Sequence, residues 1–156
     1  GNLAALVCHA AYDDGGPAIA HQALIYPATD LSKSFPSVRQ HANAPMLTEA
    51  KMDAFIAHYV GPDPMDLRDP AISPYWREDL TGLPPALVQT ADIDPIRDEG
   101  LAYAARLEKA GVPVRVTNYL ETVHGFASIP GATVIGRQAQ QELVTELRRH
   151  LAPGDV

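Results

Sequence analysis

The sequence holds 156 residues, 46% of them hydrophobic and 20% charged, the size and balance of one globular domain with a buried core. Its formal net charge of −7 speaks against nucleic acid or an anionic membrane surface as a partner, because both are gripped by basic patches, and no apolar run reaches the length of a membrane span. The single cysteine, Cys8, excludes an internal disulfide framework and a cysteine-rich zinc site, and it fits a reducing, cytoplasmic compartment.

The chain opens on Gly1-Asn2-Leu3-Ala4-Ala5-Leu6, which reads as a helix already under way. Nothing before it serves as cap or strand, so the sequence is expected to be the C-terminal part of a longer domain, truncated at its N-terminus; any targeting signal upstream would lie outside it. The Ala/Leu-rich pattern predicts a helix over 2–11, stopped by Asp13-Asp14-Gly15-Gly16-Pro17. An apolar run over 21–26, closed by Pro27, reads as a short buried strand. Residues 28–46 carry no period and read as loop. Met52, Phe55, Ile56 and Tyr59 recur at the spacing of an amphipathic helix over 48–59, which Gly61-Pro62 ends. Six prolines make 61–85 mostly loop.

Residues 86–91 read as a second buried strand. Pro95 to Ala110 is predicted helical, with Leu101, Ala104, Ala105 and Leu107 inward and Gly111 as the stop. Over 112–120 the alternation of Val114, Val116 and Asn118 with Arg115 and Thr117 is that of a third strand. A last helix is predicted over 132–151, its apolar positions being Val134, Ile135, Leu143, Val144, Leu147 and Leu151. This order implies an α/β fold: a parallel sheet with right-handed crossovers, binding its ligand at the carboxyl ends of the strands.

Two residues sit just past predicted strand ends, Asp94 and His124. A carboxylate there can fix the tautomer of an imidazole and stabilise the imidazolium that catalysis creates. Local pattern also offers plainer roles, and on spacing alone they lead. Asp94-Pro95 is a good helix start, with Asp at the N-cap and Pro at the first helical position; Asp98 and Glu99 then suit the positive end of the helix dipole. His124, beside Gly125, could be an ordinary loop residue. The other histidines, His9, His21, His41, His58 and His150, show no metal-type spacing with a second His or Cys and read as structural or surface residues, His41 in a loop being the most open of them.

Motif order weighs against those plainer roles. Gly1-Asn2-Leu3-Ala4-Ala5 resembles the tail of a GDSAGGNLAA nucleophile elbow, and Leu24-Ile25-Tyr26-Pro27-Ala28-Thr29-Asp30 resembles a sixth strand and the loop after it. Ser73-Pro74 and Leu80-Thr81-Gly82-Leu83-Pro84-Pro85-Ala86-Leu87-Val88 resemble the approach to a seventh. Asp94-Pro95-Ile96-Arg97-Asp98-Glu99-Gly100 matches DPLRDEG with Ile for Leu, and Ala110-Gly111-Val112-Pro113-Val114 and His124-Gly125-Phe126 follow in order. Together these segments resemble the hormone-sensitive-lipase-like esterases of the α/β-hydrolase fold, over nearly the whole chain.

The resemblance implies the C-terminal half of an α/β-hydrolase domain, about three parallel strands with flanking helices, spanning residues 1–156 with the elbow tail at 1–5, the acid loop near 94 and the histidine loop near 124. It implies a carboxylic-ester hydrolase for short to medium acyl esters, with Asp94 as triad acid, His124 as general base and no metal or organic cofactor. Asp92 is the rival acid, and Asp98 reads as a first-turn helix residue. The nucleophilic serine would lie three residues before Gly1; Ser32, Ser34, Ser37, Ser73 and Ser128 lack the G-x-S-x-G context, so the chain alone is expected to be inactive and, with an open apolar sheet edge, to fold poorly. Met52, Phe55, Ile56 and Phe126 are candidate walls of the acyl pocket, against an equal reading as core. The partner expected is a small-molecule ester, with homo-oligomerisation open. The alternatives are a peptidase or lactonase on the same fold, which the DPxRDEG segment speaks against, a non-catalytic receptor on that fold, which His124 speaks against, and a flavodoxin-like binding module, which leaves the motifs unexplained.

Overall fold

The computed structural model describes residues 1–63, 65–129, 131 and 133–151. The helices are α1 (Asn2–Asp13), α2 (Pro36–Gln40), α3 (Glu49–Val60), α4 (Arg97–Lys109) and α5 (Val134–Leu151), and the strands are β1 (Gln22–Ile25), β2 (Ala86–Ile93) and β3 (Val114–Val123). Single 3-10 turns lie at Pro74–Trp76 and Phe126–Ser128. The position predicted to open the last helix, residue 132, lies outside the described residues.

Among the described residues the strands form one parallel sheet in the order β1-β2-β3. Gln22 pairs with Ala86 and Ala86 with Val114, so the three strands start level. Near their ends the level is lost: β2 advances from Ala91 to Ile93 while β3 advances from Tyr119 to Val123, a bulge containing Glu121 at φ 57. β2 is covered on both faces, and its first six residues are all buried, which is why it reads as an unbroken apolar run rather than an alternating one.

One face packs α1 and α4, burying Ala5, Leu24, Val88, Tyr103 and Leu107 in one cluster. The other face packs α5, where Ala91, Phe126 and Ala139 meet Ile25, Tyr119 and Ile135. Gly100 lets α4 lie close to the sheet: a Cβ there would stand 3.1 Å from the Thr90 methyl group. A third cluster, Val38, Leu47, Met52 and Ile96, joins α2, α3 and the start of α4 above the carboxyl ends of the strands. α3 begins at a true cap, Thr48 Oγ1 accepting the Lys51 amide at 3.2 Å.

One expectation about facing is corrected, and two apolar patterns prove partly exposed. In α4, Ala105 is exposed and Tyr103 is fully buried, because the inward stripe runs through Gly100, Tyr103, Ala104 and Leu107. In β3, Val116 is exposed, since β3 has a neighbouring strand on one side alone among the described residues. In α5, Val134, Val144 and Leu151 are exposed, and Gly136, Ala139 and Glu146 take the buried positions. The loop expected over 28–46 contains α2, whose first position is Pro36, a residue already fixed in φ for a helical start. Among the described residues no helix is long and apolar enough to cross a membrane.

Candidate active site

β2 ends at Ile93 and β3 at Val123, so the next residues, Asp94 and His124, leave the same edge of the sheet. The structure brings them together. His124 Nδ1 lies 2.8 Å from Asp94 Oδ2, and Asp94 is fully buried while the imidazole keeps a quarter of its surface. A carboxylate at Nδ1 holds the ring proton there and leaves Nε2 as the basic nitrogen. Tyr26 lies against the ring, with centroids 4.6 Å apart.

The helix-start role expected for Asp94 and Pro95 is corrected. Helix α4 begins at Arg97 with Ile96 at the cap, so Asp94 is not the N-cap and Pro95 is not the first helical residue. Asp94 Oδ1 instead accepts the Ile96 amide at 3.1 Å, a turn that leads the chain into α4 and leaves Oδ2 for the imidazole. Asp92 faces elsewhere: Oδ1 is 3.5 Å from Arg97 Nη1, and Oδ2 accepts the Glu121 amide at 3.4 Å. Asp98 accepts the Ser37 amide at 2.9 Å and the Arg97 Nε–H at 2.9 Å. Ser37 in turn donates to the Pro95 carbonyl at 2.7 Å, so α2 clamps the acid loop. His41 belongs to this clamp, with Nε2 3.3 Å from Arg97 Nη1.

His124 lines a cavity of about 420 Å³, whose walls include Tyr26, Leu47, Met52, Ile56 and Ile96. That is the size and character of a small-molecule pocket. Of the expected pocket residues, Met52 and Ile56 are walls and Phe55 stands at the rim, largely exposed. Phe126 is placed differently. It is buried against Tyr26, Tyr119 and Ala139, because Gly125 at φ 84 turns the chain back toward the α5 face after His124.

Sequence reasoning missed the polar frame under this cavity. Glu99, 1% exposed, accepts the amides of Thr29 and Asp30 through Oε1 at 2.7 and 3.1 Å, and its Oε2 has no partner among the described residues. Burial pushes its pKa well above the usual carboxyl value, against the pull of those two amides. Asp30 behaves oppositely: burial raises its pKa, but donors from Ser32, Ser34 and Trp76 outweigh it and hold the carboxylate below its usual range. Asn2 Nδ2 donates to the carbonyls of Ala28 and Ile72 at 2.8 and 2.9 Å, tying α1 to both loops. Glu99 was legible as a helix acid from its place in the first turn; its partners, some seventy positions away, were not.

A family profile for the alpha/beta hydrolase fold matches residues 1–128. Carboxylesterase NlhH of Mycobacterium tuberculosis is 37% identical over 155 residues, which is 97% of this chain and 48% of that protein. An ester hydrolase from the metagenome of Lake Arreo, solved with a bipyridine phosphonate derivative, superposes with a TM-score of 0.87 at 42% identity, covering 96% of this chain and 47% of its own. A hyperthermophilic esterase from Pyrobaculum calidifontis gives a TM-score of 0.89 at 34% identity, covering 97% and 50%. The chain thus spans about half the length of the proteins it matches.

Proposed function

Because the chain belongs to the hormone-sensitive-lipase-like family of α/β-hydrolases, we propose that it supplies the acid and the base of a Ser-His-Asp triad to a carboxylic-ester hydrolase. The observation that carries this reading is the 2.8 Å pair between buried Asp94 and His124, on a ring that lines an apolar cavity at the carboxyl edge of a parallel sheet.

His124 Nε2 takes the proton from a serine hydroxyl as the serine oxygen attacks the ester carbonyl. Asp94 stabilises the imidazolium that results. The tetrahedral intermediate collapses as His124 returns the proton to the departing alcohol, leaving an acyl-enzyme. Water, deprotonated by His124, then attacks the acyl carbon and releases the acid and the serine. No step needs a metal or an organic cofactor. The serine comes from the elbow that the family places just before the residues matching Gly1–Ala5. The serines of the chain itself are otherwise engaged: Ser32 and Ser34 with Asp30, Ser37 and Ser73 with backbone carbonyls, and Ser128 with the Tyr26 hydroxyl. The apolar cavity suits the short to medium acyl group of a small ester. The intact Asp94–His124 pair favours a catalytic role over a receptor's.

The test is hydrolysis of p-nitrophenyl butyrate. The 156-residue chain alone should give the buffer rate, for want of a nucleophile. Joined to its elbow serine, it should turn the ester over, and His124→Ala should lower kcat by at least about 10³-fold. A His124-dependent rate from the chain alone would show that one of its own serines is the nucleophile. Full activity in His124→Ala would remove the triad reading.

A further inference from the structure

At the opposite, amino edge of the sheet, three metal-binding side chains converge. His21 directly precedes β1, and Glu146 and His150 lie one turn apart near the end of α5. One ligand atom from each falls within 4.8 Å of the others. We propose that His21, Glu146 and His150 form a binding site for a divalent transition metal of the zinc class, independent of the catalytic reading above.

Two observations point to an ion rather than to a bare polar cluster. Both ring nitrogens of His21 are sealed from solvent and have no hydrogen-bond partner among the described residues. A buried polar atom without a partner is costly, so such a nitrogen calls for an explanation, and a coordinated cation is one. The second is a distance. His150 Nε2 stands 3.6 Å from Glu146 Oε2, too far for a good hydrogen bond. It is near the ~3.3 Å that separates two ligands on a tetrahedral ion with bonds of ~2.0–2.1 Å. His21 and His150 are already stacked, with ring centroids 4.5 Å apart. Closing the site on an ion requires a contraction of up to about 1.5 Å between ligand atoms, within reach of side-chain rotation.

The surroundings fit that role. Arg115 Nη1 holds the other oxygen of Glu146 at 3.3 Å, and its Nε is 2.7 Å from Glu142. Ligating carboxylates are commonly braced in this way, and here Oε2 is left for the metal. Two imidazoles and one carboxylate suit zinc and its neighbours and disfavour calcium or magnesium, which prefer all-oxygen shells. Three protein ligands leave a fourth position for water. The sequence hid the site because the chain separates His21 so widely from the helical pair. The Glu146/His150 spacing of four, which puts both on one helix face, was the only local signal. Bound metal would pin the last turns of α5 to the start of β1.

The experiment is zinc binding to the EDTA-stripped protein, read by equilibrium dialysis with elemental analysis and by thermal shift. One zinc per chain and a raised Tm are expected. Affinity should fall about 100-fold or more in His21→Ala and in His150→Ala, with a smaller loss in Glu146→Gln, while His41→Ala and His58→Ala bind as the parent does. Cobalt(II) added to the unaltered protein should give the intense visible bands of a tetrahedral site and broaden the ring resonances of His21 and His150, which decides the matter even if a variant fails to fold. Binding unchanged in His21→Ala, or cobalt that broadens other histidines and spares these two, would overturn the proposal.

Discussion

Asp94 divides its two oxygens between two partners, one turning the chain into α4 and the other holding His124. Asp94→Asn keeps an acceptor for the Ile96 amide but can present an N–H to the imidazole and invert its tautomer. In the serine-bearing enzyme it should lower kcat by roughly 10³–10⁴-fold with KM little changed, as steady-state kinetics would show. Glu99 poses a separate test. Its folded pKa is raised by burial, so the stability it contributes is full below its unfolded value and is lost as pH rises through the folded value. Glu99→Gln does not titrate. Urea midpoints should therefore favour the Gln variant more at about pH 8 than at about pH 5, and a pH-independent difference would contradict a protonated native Glu99. At this scale, the sequence pointed to Asp94 and His124, which the structure pairs, because their motifs are local. It did not show Glu99 as the post under the loop at 29–30, because its hydrogen bonds close over long separations.

Among elements, α1 and α4 meet through His9 and Tyr103, with Nε2 2.8 Å from the phenol oxygen. Burial first, and Arg77 second, depress the His9 pKa from 6.5 to about 4. Its neutral form is the native one, so this contribution is present above pH 6.5 and is lost as pH falls through about 4. His9→Gln, which keeps a polar partner for Tyr103, should flatten the acid limb of the stability curve by on the order of 3 kcal/mol across that window. Denaturant titrations of both proteins would reveal it. The order of helices and strands was legible because each long element carries its own period. What failed was facing and short structure. Tyr103 replaced Ala105 in the core of α4, since a tyrosine whose hydroxyl finds His9 can be buried whole. The five-residue α2 is held by Ser37 and Asp98 across the gap to α4, and no local pattern announces such support.

For the molecule as a whole, the outer side of β1 is one open edge of the sheet among the described residues. The Gln22 amide bonds to Pro85, just before β2, and the Tyr26 amide to Gln89 on β2, so by alternation the Ala23 and Ile25 amides point away from it. Nearby α1 exposes Leu3 and Val7. An unpaired strand edge beside apolar side chains is a template for another chain. Sedimentation velocity on the 156-residue chain should show concentration-dependent association that Ala23→Pro reduces, because proline removes an outward donor without breaking the β1–β2 ladder. Parallel architecture and the site at its carboxyl edge were readable from the alternation of periods. The open edge was expected too, from the resemblance, which places the nucleophile strand before Gly1, but which amides it leaves bare depends on register, which no single strand encodes.

The bulge in β3 bears on how this segment tolerates changes of length. Leu120 and Glu121 are surplus to the ladder between the Ala91–Tyr119 and Ile93–Val123 pairs, and Leu120 points into solvent. Deleting both would close the ladder with Val123 still opposite Ile93 and the imidazole still beside its acid. Deleting either alone would turn the strand over by half a period and carry His124 to the wrong face. Between Tyr119 and His124, then, insertions and deletions should be accepted in pairs and refused singly, a parity rule written into the backbone rather than into any side chain.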